Sequence, residues 1–98
     1  MSLSMKTPEE VSLEIASRIK TKRLAQNLTQ EGLALRAGMS TPSLKRFEKT
    51  GKISFVSLLN IALVLNCLGE CERLFDDNGK PLSLFADNPK PKKRGSIK

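Results

Sequence analysis

Apolar residues recur every three or four positions along the first quarter of the chain, which predicts an amphipathic helix. Residues 7–10 carry a complete start signal, because a threonine, a proline and, three residues after the threonine, a glutamate form a capping box. The helix should run to about Gln26, with Asn27 ending it. Its apolar face is expected to consist of Val11, Ile15, Ala16, Ile19 and Leu24.

Two shorter helices are predicted next, separated by a tight turn at Gly38. Thr29 is expected to cap the first of them and Ser40 the second, and a glycine suits the left-handed residue that ends a helix. The second of the pair should end near Lys49. The positions expected to face inward are Leu33, Ala34 and Ala37, then Met39 in the turn, then Leu44 and Phe47.

A fourth helix should begin after the break at Gly51, with Ser54 as its cap. It should extend to Leu68, where Gly69 interrupts it, and residues 70–75 can form a short fifth helix. No alternating strand pattern occurs before residue 80, so the pattern predicts an all-α fold with five helices. The fourth helix is apolar nearly all round, as a helix buried on most sides or covered by a partner subunit would be, at Val56, Leu58, Leu59, Ile61, Ala62, Leu65 and Leu68.

The chain reads as one domain with flanking segments. We predict a flexible N-terminus at 1–6 and a five-helix domain at 7–76. Residues 76–79, Asp-Asp-Asn-Gly, are typical of a turn, and the apolar residues that follow make 77–85 a packing or dimerisation segment. Residues 86–98 are rich in proline and lysine and are expected to be a disordered basic tail.

The composition argues against catalysis. The 98-residue chain has no histidine, the commonest general base, and we find neither a glycine-rich phosphate loop nor paired carboxylates in an apolar context. Its two cysteines, Cys67 and Cys71, are expected to be buried, reduced thiols in a helix-like run, since a structural zinc site needs four ligands. We therefore expect no enzyme activity, no metal and no cofactor. With no signal peptide and no apolar run near the roughly 20 residues of a membrane span, we also expect no membrane partner and a cytoplasmic location.

The net charge of +7 is unevenly distributed. Residues 18–52 hold nine Lys and Arg against two Glu, whereas residues 53–85 carry an excess of acidic groups. A small basic domain usually meets an anionic partner. Because the positive charge coincides with the two short helices and the loop after them, nucleic acid is the expected partner.

These two helices and their turn have the spacing of a helix-turn-helix, in which the second helix enters the major groove of DNA. If Ser40 is the N-cap, Pro42 lies in the first turn, where backbone N–H groups have no partner within the helix. The proline would then start the helix rather than break it, and it offers an apolar surface to a thymine methyl group. The outward face is expected to present Thr41, Pro42, Ser43, Lys45, Arg46 and Lys49.

The segments SRIKTKRLAQNLTQ (17–30) and LALRAGMSTPSLKRFE (33–48) resemble the Cro and phage-repressor type of helix-turn-helix, the Xre family. The similarity covers about residues 15–68. It implies a lambda-repressor-like DNA-binding domain whose partner is double-stranded DNA. The matching positions are Leu28-Thr29-Gln30, Leu33-Ala34, Ala37-Gly38, Ser40, Leu44 and Glu48.

The resemblance also implies roles for individual residues. Gln30 would bind a backbone phosphate and brace the recognition helix, and Arg23 would pair with Glu48 to join the first helix to the third. Pro42 departs from relatives that carry Gln or Ser, so adenine recognition is not expected there. Gly32 departs too, at a cost of about 1 kcal/mol relative to alanine. The expected DNA-binding residues are Gln30, Ser40, Thr41, Pro42, Ser43, Lys45, Arg46, Lys49 and Lys52, with Thr41, Pro42 and Arg46 at base-reading positions.

Two functions remain open. One is a dimeric repressor that binds a palindromic operator through helix 40–49. The other is the antitoxin of a HipA-like kinase, because residues 47–75 are similar to short bacterial regulators often encoded beside such kinases. A homodimer is expected through the fourth and fifth helices and residues 82–85, since five short helices cannot bury all their apolar side chains. Alternatively, residues 82–85 fold back over the fourth helix of their own chain.

Overall fold

The computed structural model describes residues 5–77, which form five α-helices and no strand. The all-α prediction is thus confirmed. The flexible N-terminus predicted at 1–6, the segment 77–85 and the tail 86–98 lie outside the described residues, apart from positions 5, 6 and 77. The helices are α1 (Pro8–Ala25), α2 (Gln30–Ala37), α3 (Thr41–Thr50), α4 (Phe55–Val64) and α5 (Leu68–Glu72).

The first four helices begin where the cap residues predict. Thr7 Oγ1 accepts a hydrogen bond from the Glu10 backbone N–H at 3.1 Å, and the Thr7 N–H donates to Glu10 Oε1 at 3.0 Å, which completes the capping box. Thr29, Ser40 and Ser54 each accept from the N–H three residues further on. A cap of this type stabilises a helix by typically about 1 kcal/mol.

Three helices end in the same way, with a left-handed residue and a pair of reversed hydrogen bonds. The left-handed residues are Asn27, Gly38 and Asn66, with φ of 58°, 73° and 66°. After α4, for example, the Cys67 N–H donates to the Ala62 carbonyl at 2.8 Å and the Asn66 N–H to Leu63 at 3.1 Å, the pattern of a Schellman motif.

Asn66 therefore corrects the predicted boundary of the fourth helix. The break that the sequence places at Gly69 lies instead at Asn66, because asparagine tolerates the left-handed conformation. Leu68 opens α5 rather than closing α4, and α5 spans Leu68–Glu72 instead of 70–75. The fifth helix has no side-chain cap and no buried residue.

The core lies where α1 and α2 pack on α3 and where α4 packs on α2. Two predictions for α1 are wrong: Val11 and Leu24 are exposed, at 41% and 55%, because α1 turns Ala16, Ile19 and Arg23 toward the other helices. All six inward positions predicted around the turn are buried or half-buried. The buried apolar core is Ala16, Ile19, Leu33, Ala34, Ala37, Leu44, Phe47, Ile61, Ala62, Leu65 and Cys67.

Gly51 fixes the distance between α1 and the end of α3. Its φ is +81°, and a Cβ atom at this position would lie 2.8 Å from Ser12 Cβ and 2.9 Å from the Ser12 carbonyl carbon. The chain after α3 thus packs directly on the backbone of α1, and only glycine fits both the conformation and the space.

Candidate nucleic-acid interface

The helix-turn-helix unit consists of α2, the turn at Gly38 and α3. Ser40 Oγ accepts from the Ser43 N–H at 3.2 Å and donates to Ser43 Oγ at 2.8 Å. Pro42 is the second residue of α3, so its missing N–H costs no helical hydrogen bond. The two hydroxyls satisfy each other in part, and the Ser43 hydroxyl hydrogen is left to donate outward.

α3 separates its apolar and polar residues sharply. Leu44 and Phe47, at 0% and 1% exposure, anchor the helix on the core. Thr41 is half-buried at the start of the helix. The other expected contact residues on α3 and in its preceding turn are exposed, namely Ser40, Pro42, Ser43, Lys45, Arg46 and Lys49.

Glu48 holds α3 from behind. Its carboxylate accepts from Arg23 Nε at 2.7 Å and from Arg23 Nη2 at 3.1 Å, a bidentate pair between α1 and α3. The same carboxylate accepts from Gln30 Nε2 at 2.9 Å, while Arg23 Nη1 donates to the Leu28 carbonyl at 2.9 Å. One buried carboxylate therefore links α1, the start of α2 and α3.

Gln30 contacts the end of α3 through the Glu48 carboxylate. Its amide is half-buried and directed at Glu48, and a primary amide nitrogen carries a second hydrogen that can still donate elsewhere. Gly32, the unexplained residue of α2, lies beside the cap of this helix. A Cβ atom at position 32 would lie 3.2 Å from Thr29 Oγ1, the oxygen that accepts from the Gly32 N–H. Because glycine has no Cβ, it avoids a tight contact with the Thr29 hydroxyl that caps the helix.

The cations of α3 and the following loop form no ion pair with any residue of the described part of the chain. Within residues 5–77, Lys45, Arg46, Lys49 and Lys52 are exposed and none of them forms an ion pair. Thr50 orders the loop, since its hydroxyl donates to the Arg46 carbonyl at 2.7 Å and accepts from the Lys52 N–H at 3.1 Å. The uncompensated charge creates a positive potential along one edge of the domain.

The structure adds two residues that the sequence reasoning did not assign to the interface. Ser54 and Ser57, in the first turn of α4, line a surface cleft together with Arg46 and the turn before α3. The Ser54 hydroxyl accepts from the Ser57 N–H at 3.1 Å. In the sequence, the spacing Ser-x-x-Ser at 54–57 repeats that at 40–43, but it indicates a helix cap and does not show that the two caps lie together.

Residues 5–77 offer little evidence for a metal site, a reactive thiol or a membrane-spanning helix. No group of three or more His, Cys, Asp or Glu in this part of the chain could hold a metal ion. Burial raises the pKa of the Cys67 thiol above its usual value, which disfavours the reactive thiolate. Among the described residues, no helix combines the length and apolar character needed to cross a bilayer.

Comparison with known proteins assigns the family. A helix-turn-helix family model matches residues 19–68, from the middle of α1 to the first residue of α5. The match covers half of the chain and includes the whole of α2, α3 and α4. A search of the curated proteins finds no significant match. The chain belongs to the Xre/Cro-type helix-turn-helix family and is a DNA-binding transcriptional regulator.

Proposed function

We propose that the protein is a repressor that binds a palindromic operator as a homodimer, with α3 in the major groove. The observation that carries this proposal is the contrast between the two sides of α3. Its exposed side is basic and unpaired within residues 5–77, while Leu44, Phe47 and Glu48 fix its other side to the domain. A helix held rigidly with its donors outward loses little entropy when it enters a groove.

Arg46 is the principal base-reading residue in this proposal. It lies in the middle of the exposed side of α3, and its guanidinium can donate two hydrogen bonds to O6 and N7 of a guanine. Pro42 lies one helical turn earlier on the same side and suits a thymine methyl group. Thr41 completes the reading set from the first position of the helix.

The remaining residues are proposed to contact phosphates. Gln30 and Ser43 offer neutral donors, while Lys45, Lys49 and Lys52 offer charge without sequence preference. Ser40, Ser54 and Ser57 lie at helix starts, where unpaired backbone N–H groups favour an anion. Contacts on both sides of α3 would set its orientation in the groove.

The exposed face of α4 supports the dimer. Val56, Leu59 and Leu63 are spaced three and four residues apart and lie on one side of a helix that has no charged residue. The exposed fractions of Val56, Leu63 and Phe55 are 66%, 59% and 58%. A contiguous apolar face of this kind marks a protein interaction site. A dimer would also present two recognition helices to two operator half-sites.

Footprinting on the DNA upstream of the gene, followed by titration of the protected site, tests the proposal. Arg46→Ala should weaken operator binding by 1–3 kcal/mol, roughly 5- to 150-fold, and binding to unrelated DNA much less. Arg36→Ala removes another exposed arginine, on α2, and is the control. If Arg46→Ala weakened both kinds of binding equally, Arg46 would contact a phosphate and not a base. If footprinting revealed no protected site, there would be no operator at this locus.

A second candidate function is that of an antitoxin, in which the same protein also binds a HipA-like kinase. The end of the described chain favours it, since Phe75 is 96% exposed beside the acidic residues Glu70, Glu72 and Asp77, which DNA would repel. The test is whether a neighbouring gene encodes such a kinase and whether the purified kinase binds. Phe75→Ser should then weaken kinase binding while operator binding stays unchanged. Failure of the kinase to bind the wild-type protein removes this candidate.

A further inference from the structure

A second surface, which α3 does not line, is built mainly of apolar side chains. We call it the α1–α5 groove, because it lies between α1, α4 and α5. Ile19, Ala62 and Cys67 form its floor and are at most 9% exposed. Leu58, Cys71 and Leu74 form its walls, and no residue of α2 or α3 lines it. DNA binding as proposed above makes no use of this groove.

The wall formed by α5 is held to the described core by half-buried side chains, Leu68 and Cys71. α5 has five residues, no side-chain cap and no buried residue, and Leu74 just beyond it is 44% exposed. Helices this short are not stable in water without tertiary packing. Additional apolar cover over the groove would therefore stabilise α5.

The chain itself supplies a suitable segment. Residues 81–85, Pro-Leu-Ser-Leu-Phe, contain three large apolar side chains, and no charged residue lies between Lys80 and Asp87. The chain leaves the groove at Leu74, only seven residues before Pro81, a span of up to about 25 Å when extended. Residues 76–79 have the composition of a turn, which would send the following residues back toward α5.

Charges at the two ends of the segment match those at the rim. Arg18 and Lys22 of α1 and Glu70 of α5 lie along the groove, while Lys80 precedes the segment and Asp87 follows it. A short tether also gives an intramolecular segment an effective concentration of about millimolar, which favours it over a second copy of the chain. We propose that residues 81–85 pack into the α1–α5 groove of their own chain and cover Cys71.

The half-buried Cys71 thiol provides the test. The full chain is alkylated with iodoacetamide under native conditions, and the rate at Cys71 is followed by mass spectrometry. Leu84→Asp should accelerate alkylation by about tenfold, because an aspartate in the segment opposes burial and uncovers the groove. Ile97→Asp makes the same kind of change in the tail and should leave the rate unchanged. A measurement of DNA binding by the Leu84→Asp variant, on operator or on unrelated DNA, checks that its domain is folded.

Two results would overturn the proposal. One is a wild-type rate at Cys71 that equals that of Leu84→Asp, since the groove is then uncovered by this segment. The other is protection of Cys71 that disappears when the protein is diluted by about a hundredfold. Dilution weakens contacts between two chains but not a contact within one chain, so the cover would then come from a second chain. Loss of DNA binding by Arg46→Ala would leave both readouts unaffected, so this inference and the proposed function fail independently.

Discussion

The guanidinium of Arg23 and the carboxylate of Glu48 meet at 2.7 Å across 25 residues of sequence, with side chains only 7% and 5% exposed. This buried pair sets the position of the recognition helix relative to α1. Arg23 also donates to the Leu28 carbonyl, so the guanidinium is shared between α3 and the loop that leads into α2. The pair is thus a joint between three parts of the domain.

Arg23→Met should destabilise the domain by roughly 3–5 kcal/mol, because it leaves the Glu48 carboxylate buried without its cation. Lys20→Met, at an exposed position on the same helix, is the control and should have little effect. Chemical denaturation of the three proteins measures the difference. Equal stability of the two variants would mean that the pair contributes nothing net to folding.

Gly51→Ala should be more harmful than Gly38→Ala, although both residues are left-handed helix ends. At Gly38 no atom lies within 4 Å of an added Cβ. The loss of stability there comes only from the strained left-handed conformation and should be about 1–2 kcal/mol. At Gly51 the added atom also collides with the Ser12 backbone, and overpacking of this kind costs a further 1–3 kcal/mol or so. Thermal unfolding compares the two, and a similar loss in both would show that α1 can move away from position 51.

Lys49→Ala combined with Lys52→Ala should weaken binding to all DNA sequences alike. Each lysine that neutralises a phosphate releases about one counterion, so the slope of log K against log salt should fall by about two. Titrations at several salt concentrations measure that slope. Lys20→Ala, which removes an exposed cation from α1, should leave it unchanged. A larger loss on operator than on unrelated DNA would instead assign base contacts to these lysines.

Leu63→Asp should convert the proposed homodimer to a monomer, since it places a charge on the apolar face of α4. Sedimentation at micromolar concentration should give a mass near 10.8 kDa for the variant and near twice that for the wild type. Leu35→Asp makes the same change at a leucine that is 80% exposed on α2 and should remain dimeric. A wild-type mass of one chain would rule out the dimer at this concentration.

Local features of the sequence were sufficient for most helix boundaries. The caps at Thr7, Thr29, Ser40 and Ser54 and the stop at Gly38 act through hydrogen bonds that span three to five residues, so the pattern that produces them is visible in a short window. The same holds for Pro42, whose place in the first turn of α3 follows from its distance to Ser40.

The angular position of α1 was not visible in such a window. Val11 and Leu24 fit the apolar period as well as Ile19 does, and only the approach of α3 decides which of them is buried. The end of α4 was missed because Asn66 is a weaker stop signal than Gly69. Gln26, the residue that follows α1, reinforces that end, because its Nε2 donates to the Leu65 carbonyl at 2.9 Å across 39 residues of sequence.

The sequence by itself therefore determined the starts of the first four helices, the turn between α2 and α3 and the basic character of the exposed side of α3, because each depends on residues within a few positions of one another. Tertiary structure alone decided that Gly51 touches the backbone at Ser12 and that Ser54 and Ser57 share a cleft with Arg46. These relationships depend on the distances between helices, which the packing of side chains from the whole core sets together.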